Sequence, residues 1–547
     1  MNFNMFVNPN TGKKTLQNSS GFKSIAASMA GFLILLGAGI AHCSANSPLH
    51  NNASPAQVAT GGRSPVYVIL WFDTEDFVLP QSDDSAKRIA EFLTQQGIHA
   101  TFKVVGEKAR VLDRRGRKDV IAALDKHEIG YHSNYHSWHV TVGEYEEPLD
   151  WDDGVKEFIR REKPGFDDIR RIFGKTPTCF GQPGYSWAPE IQPAVKKMGI
   201  NVYLDDGEQV GLNGQPFWYG GILNIYDIKY INDLRPNDDW SNLSQTEAAF
   251  KTAYSQFSES GGGIISIYFH PCEFVHRQFW DAVNFAHGAD PPRSQWKLPP
   301  VKTPAERDKA FQFLENFVKY MKSYPVHFVT ASGAFTLYHD NAQGRTFSKR
   351  ELADIARAVN PAVSFQVHKS YTLSASEVLW LLNDYVADNI RNHPDKPIVL
   401  HGTPLGPSSN PADLSFDSGS QIPWSQFSYA VLDMHDFLAK NSKIPTVVWI
   451  GRKPYSPASY LVALAQVAIE MLDKKQTPQM VFLAPAHLEA AKYVAKNSPK
   501  IWGDWPIFGP QFNGRHIMEL ASLQAWTLKP AQLANSHHGA GVLSSRN

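Results

Sequence analysis

The feature that most constrains the fold is an alternation of apolar, strand-like runs with amphipathic helical stretches over residues 65–340. The first run, residues 65–72, is continuously apolar and rich in β-branched and aromatic side chains, which is typical of a strand buried on both faces of a sheet. Further runs of this kind begin at Ala100, Thr178, Asn201, Ile222, Gly263 and Val326. Such alternation predicts an α/β barrel or a doubly wound sheet in which most strands run parallel.

Acidic side chains follow the first predicted strand directly, in the stretch Asp73-Thr74-Glu75-Asp76. Enzymes built on parallel strands carry their chemistry at the carboxyl ends of those strands. The same stretch would also suit a solvated turn or the N-cap of a helix, so the acids alone do not decide between chemistry and structure.

Two imidazoles lie four residues apart, at His132 and His136, and His139 follows them. Imidazole is a common ligand of zinc-like cations, and two imidazoles with one carboxylate leave positions open for water and substrate. The pair alone is weak evidence, because twenty histidines in 547 residues give about one such spacing by chance.

Four short motifs occur in a fixed order, each after a predicted strand. In chain order they are Phe72-Asp73-Thr74-Glu75-Asp76, His132-Ser133-Asn134-Tyr135-His136, Gln182-Pro183-Gly184-Tyr185 and Ile267-Tyr268-Phe269-His270. With these motifs, residues 66–338 resemble a polysaccharide deacetylase of the NodB-homology type, carbohydrate esterase family four. The resemblance implies a distorted, incomplete (β/α) barrel. It also implies a divalent metal, zinc or a related ion, and the removal of N-acetyl groups from a cell-wall or exopolysaccharide glycan.

The resemblance further implies a role for each of four side chains. His132 and His136 bind the metal, Asp73 is the base that takes a proton from water, and His270 is the acid that protonates the leaving amine. Metal activation of water combined with general acid–base catalysis is chemistry that suits amide hydrolysis.

The third metal ligand is open between two acids. We expect Asp76, because Asp is the family's usual ligand at this point, although Thr74 and Glu75 separate it here from Asp73. Glu75 is the rival, because residues two apart on an extended chain share a face.

One motif departs from the family. The family's third motif begins with an arginine that pairs with the base, whereas this chain has Gln182, which forms hydrogen bonds but carries no charge. The difference keeps two alternatives open: a hydrolase of another C–N bond, such as a cyclic amide, and a catalytically silent carbohydrate-binding protein. We expect Gln182, Tyr185 and Trp187 to contact the substrate.

Other polar side chains have more than one interpretation. Asp205 and Asp206 follow a strand where the family places an acid that tunes the histidine, but they also suit a solvated turn. His139 and Glu273 are candidates for the pocket wall. The two cysteines of the barrel region, Cys179 and Cys272, form either one disulfide or two buried thiols.

The C-terminal region predicts a second, helix-rich α/β domain over residues 350–530. Three amphipathic helices are each followed by a proline and an apolar strand, near residues 396–402, 444–451 and 477–484. This approximate repeat faintly resembles the pseudomurein-binding repeats of cell-wall proteins, and it would place exposed Tyr455 and nearby Trp424 against wall glycan. The alternative is a structural extension of the enzyme.

The N-terminal segment predicts export. Residues 1–45 combine basic side chains with an apolar run, as a signal peptide or an uncleaved signal anchor does; residues 46–64 are typical of a linker and residues 531–547 of a flexible tail. Lys plus Arg and Asp plus Glu both number 53, so no net charge attracts nucleic acid or an anionic membrane. We therefore expect a periplasmic, secreted or membrane-anchored protein.

Overall fold

The computed structural model describes residues 64–411, 416–417 and 419–534. The predicted signal segment, nearly all of the predicted linker and most of the predicted tail lie outside these residues. Within the described ranges, no helix is both long and apolar enough to cross a membrane.

One curled sheet carries the first half of the chain. Its strands pair in the order β6-β7-β5-β4-β3-β2-β1-β8, and β9 pairs with the first half of β1. All of these neighbours are parallel except β6 and β7. The strands are β1 (Val66–Thr74), β2 (Thr101–Val104), β3 (Glu128–Tyr131), β4 (Cys179–Phe180), β5 (Val202–Leu204), β6 (Phe217–Tyr219), β7 (Ile222–Ile225), β8 (Gly263–Phe269) and β9 (Val326–Val329). The sheet confirms the predicted incomplete (β/α) barrel.

Helices connect these strands, as parallel pairing requires. They are α1 (Gln81–Gln95), α2 (Gly106–Arg114), α3 (Lys118–Leu124), α4 (Val142–Glu146), α5 (Trp151–Phe173), α6 (Ile191–Lys197), α7 (Leu243–Glu259), α8 (Pro304–Lys322) and α9 (Ala331–Leu337).

Strand β1 is buried on both faces, as its apolar run predicts. Val68, Leu70 and Phe72 belong to the core that also contains apolar residues of α1. Ile69 and Trp71 belong to a smaller apolar cluster on the other face, with residues of α9. Because side chains alternate along a strand, the face of Ile69 and Trp71 continues toward Asp73 at the strand's carboxyl end.

A second hydrophobic core lies in the C-terminal half, and its buried side chains come almost entirely from residues 342–483. Its main helices are α10 (Lys349–Ala358), α11 (Ala375–Ile390), α12 (Trp424–Asn441) and α13 (Pro457–Ile469). Its short strands are β10 (Thr346–Phe347), β11 (Ala362–Val363), β12 (Gln366–Val367), β13 (Thr372–Leu373), β14 (Ile398–Val399), β15 (Ser420–Pro423), β16 (Val448–Ile450), β17 (Lys453–Tyr455), β18 (Met480–Leu483) and β19 (His487–Leu488).

The three helix–strand units predicted from sequence are present as elements but differ in their pairing. β14 pairs with β10, β16 with β17, and β18 with β15. Tyr455, which we expected to be exposed, is fully buried, because it packs into the second core. That correction removes one of the two predicted glycan contacts, and the resemblance to wall-binding repeats stays a prediction.

The end of the described chain returns to the barrel. Helix α14 (Arg515–Gln524) and the residues before it pack into the first core, and β20 (Lys529–Pro530) pairs antiparallel with β6 as the tenth strand of the sheet. The buried Lys529 forms ion pairs with Glu377 and Asp340. The predicted domain bounds, 65–340 and 350–530, stay predictions. Within the predicted C-terminal domain, residues 490–530 pack largely on the barrel.

Candidate active site

The candidate site lies where β1, β3 and β8 end. The structure extends β1 two residues beyond its predicted end, through Thr74. Side-chain alternation therefore continues past Trp71, and both Asp73 and Glu75 reach the inner side of the sheet. Both are almost completely buried.

Three side chains converge on one point beside β1. Glu75 Oε2 lies 2.9 Å from His136 Nε2 and 3.3 Å from His132 Nε2. One ligand atom from each of the three lies within 4.8 Å of the other two, and all three residues are buried.

Hydrogen bonds behind the two imidazoles determine which nitrogen carries a proton. His132 Nδ1 lies 3.0 Å from the carbonyl oxygen of Gly181, which can only accept, so Nδ1 donates. His136 Nδ1 lies 2.5 Å from Ser137 Oγ, whose own proton goes to Asp281 at 2.7 Å, so this Nδ1 donates as well. In the neutral form of either ring, Nε2 therefore presents a lone pair.

Glu75 is held in a similar way. Its Oε1 accepts a hydrogen bond from Trp280 Nε1 at 2.8 Å, which leaves Oε2 free to face the two imidazoles. Three electron-rich atoms thus point at one another in a buried space, and a positive charge between them, a metal ion or a proton on one imidazole, stabilises that arrangement. Two imidazole nitrogens and one carboxylate oxygen fit a zinc-like ion.

The backbone of the histidine motif is also unusual. Ser133 and His136 adopt positive φ angles of 63° and 54°, a region that few residues other than glycine occupy. Such conformations cost free energy and tend to occur where a side chain must be aimed at a site.

The preference for Asp76 as third ligand is corrected. Its Oδ1 accepts hydrogen bonds from the backbone N–H groups of Val78 and Leu79, at 2.8 and 3.1 Å. Its Oδ2 lies 2.9 Å from His276 Nε2. Asp76 therefore shapes the turn into α1, which is the structural alternative for this acidic stretch, and Glu75 takes the position beside the histidines.

Asp73 lies between a fixed cation and His270. Lys103 Nζ is 3.0 Å from Asp73 Oδ1 and also pairs with Asp205, and this lysine is completely buried. His270 Nε2 lies 3.7 Å from Asp73 Oδ2 on the other side. Asp73, His132 and Asp205 also offer ligand atoms near one another. However, the ammonium of Lys103 already lies against both carboxylates of that group and occupies the place of a cation there.

His270 is held by Glu273, which lies on the following turn and forms an ion pair with Arg235. The backbone N–H of His270 donates to Glu273 Oε1 at 2.9 Å, and Glu273 Oε2 lies 2.6 Å from Arg235 Nη2. Burial would lower the pKa of His270, but the nearby negative charges of Glu273, Glu75 and Asp73 outweigh it and raise this pKa to about 9. The imidazole is thus protonated at neutral pH, as a general acid must be.

Glu273, and not Asp205 or Asp206, is the acid that contacts the histidine. Asp205 pairs with Lys103, and Asp206 accepts a hydrogen bond from Tyr268 at 3.0 Å. Neither acid forms a solvated turn, since Asp205 is buried and Asp206 is half-buried. Glu273 was predicted only as a pocket wall, and its position three residues after His270 was the available signal.

The predicted substrate contacts separate into two groups. Gln182 and Tyr185 line the cavity above the site. Trp187 does not; it is fully buried in the first core, which corrects its assignment. His139 does not line that cavity either, and instead bonds to Glu144 and to the carbonyl of Phe285, at 2.8 and 2.9 Å.

Gln182 does not contact Asp73 in place of the family's arginine. Its amide donates to the carbonyl oxygen of Asp206 at 3.0 Å and accepts from Tyr203. Lys103 supplies the positive charge beside Asp73, and sequence reasoning missed it. The signal was a lysine within an otherwise apolar strand, because a charge buried in a sheet needs a partner.

The cavity above the site has a volume of about 260 Å³. Part of its wall comes from Trp505 and Pro506, near the end of the described chain, and no pattern in the sequence links these residues to the barrel. Cys179 and Cys272 are both buried free thiols, so they do not form a disulfide.

Comparison with known proteins gives a family model and a set of solved structures. Residues 61–203 match the model of the polysaccharide deacetylase family. No curated protein matches the chain.

Three of the solved structures illustrate the range of likeness. A Mycobacterium smegmatis protein assigned to the polysaccharide deacetylases is 13% identical, covers 52% of this chain and 93% of its own, and has a TM-score of 0.34. Puue allantoinase is 14% identical, covers 52% and 95%, and has a TM-score of 0.34. A carbohydrate esterase of family four from Streptococcus mutans is 14% identical, covers 49% and 87%, and has a TM-score of 0.29. By the family model, residues 61–203 are similar to the polysaccharide deacetylase family.

Proposed function

We propose that the protein is a metal-dependent hydrolase that cleaves the amide bond of an N-acylated amino sugar and releases the acid and the free amine. The observation that carries this proposal is the convergence of Glu75 Oε2 with the Nε2 atoms of His132 and His136, directly beside Asp73 and His270.

The side chains of the site can move the two protons that hydrolysis requires. Asp73 accepts a proton from the water whose oxygen joins the acyl carbon. His270, which is protonated at neutral pH, gives its proton to the sugar nitrogen as the C–N bond breaks. Lys103 and Glu273 hold these two groups from opposite sides.

Glu75, His132 and His136 would hold a divalent ion of the zinc type. When bound, such an ion supplies Lewis-acid chemistry to the acyl carbonyl and to water.

Acetate release tests this function. The full chain, loaded with Zn²⁺, should release acetate from N-acetylglucosamine or its oligomers. Chelator should reduce the rate at least about 100-fold, and added Zn²⁺ should restore it. If the metal is bound and no acetylated sugar is hydrolysed, the proposal is wrong. In that case, activity on a cyclic amide would identify the alternative hydrolase, and sugar binding without any turnover would identify a silent binder.

The pH dependence of kcat should report the loss of the proton from His270. Because an acid must hold its proton in order to donate it, kcat should fall on the alkaline side of the profile, above neutral pH, as His270 loses its proton. Replacing Glu273 by Gln removes the carboxylate that raises this pKa, so the fall in kcat should begin at lower pH. The measurement is kcat against pH for both proteins. Glu306→Gln, which alters an exposed glutamate paired with Arg277, is the control and should leave the profile in place.

We also propose that the protein is exported and that it contacts the cell wall. These proposals rest on the apolar run within residues 1–45 and on the helix-rich C-terminal half. Fractionation of the producing cells tests export, and binding of the full chain to insoluble wall tests contact.

A further inference from the structure

Residues 502–513, which we call the return loop, contribute Trp505 and Pro506 to the wall of the active-site cavity. We infer from this wall that the site takes a single N-acylated sugar unit, free or at a chain end, and excludes internal units of a polymer. The inference rests on the proposed function for its chemistry, but the pocket itself is a separate observation.

The return loop is held on several sides. The carbonyl oxygens of Pro506 and Ile507 accept hydrogen bonds from the backbone of His287 and Gly288, at 2.7 and 3.0 Å. Gly509 N–H donates to Glu144 Oε1 at 3.1 Å. This bonding makes the loop a fixed wall rather than a lid.

The loop also fits closely against the third family motif. A Cβ atom placed on Gly184 would lie 2.5 Å from the Trp505 ring, and one on Gly503 would lie 2.3 Å from the Tyr185 ring. Gly184 and Gly503 both have positive φ, at 51° and 62°. The two loops therefore require glycine where they meet, and together they present Tyr185 and Trp505 to the cavity.

The reacting groups lie at the bottom of this cavity. Asp73, Glu75, His132 and His136 are each at most 4% exposed, while the His270 side chain is 18% exposed. Aromatic side chains form much of the wall: Tyr185, Phe279 and Trp505. At about 260 Å³ the cavity is no larger than the smallest sites for drug-sized ligands, which begin near 300 Å³.

Geometry then selects the substrate. An internal sugar unit is flanked on both sides, so it reaches a catalytic group only in an open groove. A terminal or free unit can enter the cavity end-on beside the return loop, and the apolar face of its ring can pack on Trp505. The return loop thereby gives the C-terminal half of the chain a part in substrate selection.

The position of deacetylation in an oligosaccharide tests this inference. The Zn²⁺-loaded full chain should deacetylate a pentamer of N-acetylglucosamine at one end unit, as sequencing of the product by mass spectrometry would show. It should act at least about tenfold faster on short oligomers than on the same mass of soluble polymer. Deacetylation of internal units at comparable rates would overturn the inference.

A variant separates the wall from the chemistry. Trp505→Ala should raise KM for the oligomer about tenfold with an unchanged metal content, because the ring packs on the sugar. Trp449→Ala is the matched control, since Trp449 is 53% exposed on β16 and does not line the cavity. An unchanged KM for Trp505→Ala would contradict the inference that the Trp505 ring contacts the sugar.

A binding measurement covers failure of the proposed reaction. If no sugar is hydrolysed, calorimetry with N-acetylglucosamine and the Zn²⁺-loaded protein decides. Binding that Trp505→Ala weakens keeps the pocket and rejects only the reaction. No binding by the unaltered protein rejects the pocket as well.

An independent observation concerns Lys103. We propose that Lys103 is the positioning residue for the base Asp73, in the place where the family uses an arginine from its third motif. Its ammonium lies 3.0 Å from Asp73 Oδ1, donates to the carbonyl oxygen of Leu204 at 2.7 Å, and lies 4.1 Å from the centroid of the Trp71 ring. Together with Asp205, these partners hold the ammonium from several sides.

The role predicts a loss of turnover without a loss of binding. Lys103→Met should lower kcat about 10- to 100-fold while KM and metal content stay within about twofold, and Lys103→Arg should recover part of kcat. Lys529→Met is the matched control, because Lys529 is equally buried and paired with two acids, but neither Glu377 nor Asp340 lines the cavity as Asp73 and Asp205 do. It should cost stability and leave kcat in place. If Lys103→Met behaves as this control does, the role is rejected.

Two further measurements keep the test decisive. If Lys103→Met does not fold, the double variant Lys103→Met/Asp205→Asn preserves the net charge of the cluster and is compared with Asp205→Asn alone. A double-mutant cycle of unfolding free energies between Lys103→Met and Asp73→Asn needs no activity. Non-additive effects support the pairing, and additive effects overturn it.

Discussion

Replacing Glu75 by Gln should abolish metal binding and activity while the fold survives. The amide oxygen can still accept the hydrogen bond from Trp280 Nε1. Its NH₂ group would face the Nε2 lone pairs of His132 and His136 and donate to them, in the space that a cation would occupy. We expect the affinity for Zn²⁺ to fall at least about 100-fold, since even changes beyond the direct ligands cost 10- to 100-fold.

Asp76→Asn is the matched control for that variant, since it removes the neighbouring charge. Its amide oxygen can still accept from Val78 and Leu79, so the turn into α1 should persist with a stability loss of about 1–2 kcal/mol. Metal content, measured by elemental analysis after dialysis, should stay at the level of the unaltered protein. Loss of metal from Asp76→Asn, with retention in Glu75→Gln, would return the third ligand to Asp76.

The choice between Glu75 and Asp76 shows how much of the site can be predicted from the sequence. A continuous apolar run identified β1, and the motif order identified the stretch that follows it. The choice between Glu75 and Asp76 depended on where the strand ends. Because β1 continues through Thr74, alternation carries Asp73 and Glu75 to one face and leaves Asp76 to the turn. A two-residue uncertainty in the end of a strand is enough to reverse such an assignment.

Other parts of the site needed the three-dimensional structure for different reasons. Lys103 was visible as a charge within an apolar run, but its partners Asp73 and Asp205 come from different strands. Trp505 was not visible at all, because its place depends on a loop that returns to the barrel after the second core. Local patterns predict elements, whereas contacts between distant loops follow from packing that no short motif records.

The second large effect is expected at the base. Asp73→Asn should retain the metal and lose turnover, because an amide cannot accept the proton that a carboxylate takes from water. Asp73 is not one of the three converging ligands, and its nearest charged partner is Lys103. We expect kcat to fall about 10²- to 10⁴-fold, with Zn²⁺ content unchanged.

Asp205→Asn separates loss of the base from disturbance of Lys103. Both acids pair with the same ammonium, but Asp205 also accepts a hydrogen bond from the backbone N–H of Asp206 at 2.9 Å. If Asp73 acts as the base, Asp73→Asn should cost much more turnover than Asp205→Asn, although both variants remove one negative charge from Lys103. Equal losses would mean that the pair only maintains the structure around Lys103. Release of metal from Asp73→Asn would instead place this carboxylate among the ligands, and in either case another group would have to take the proton from water.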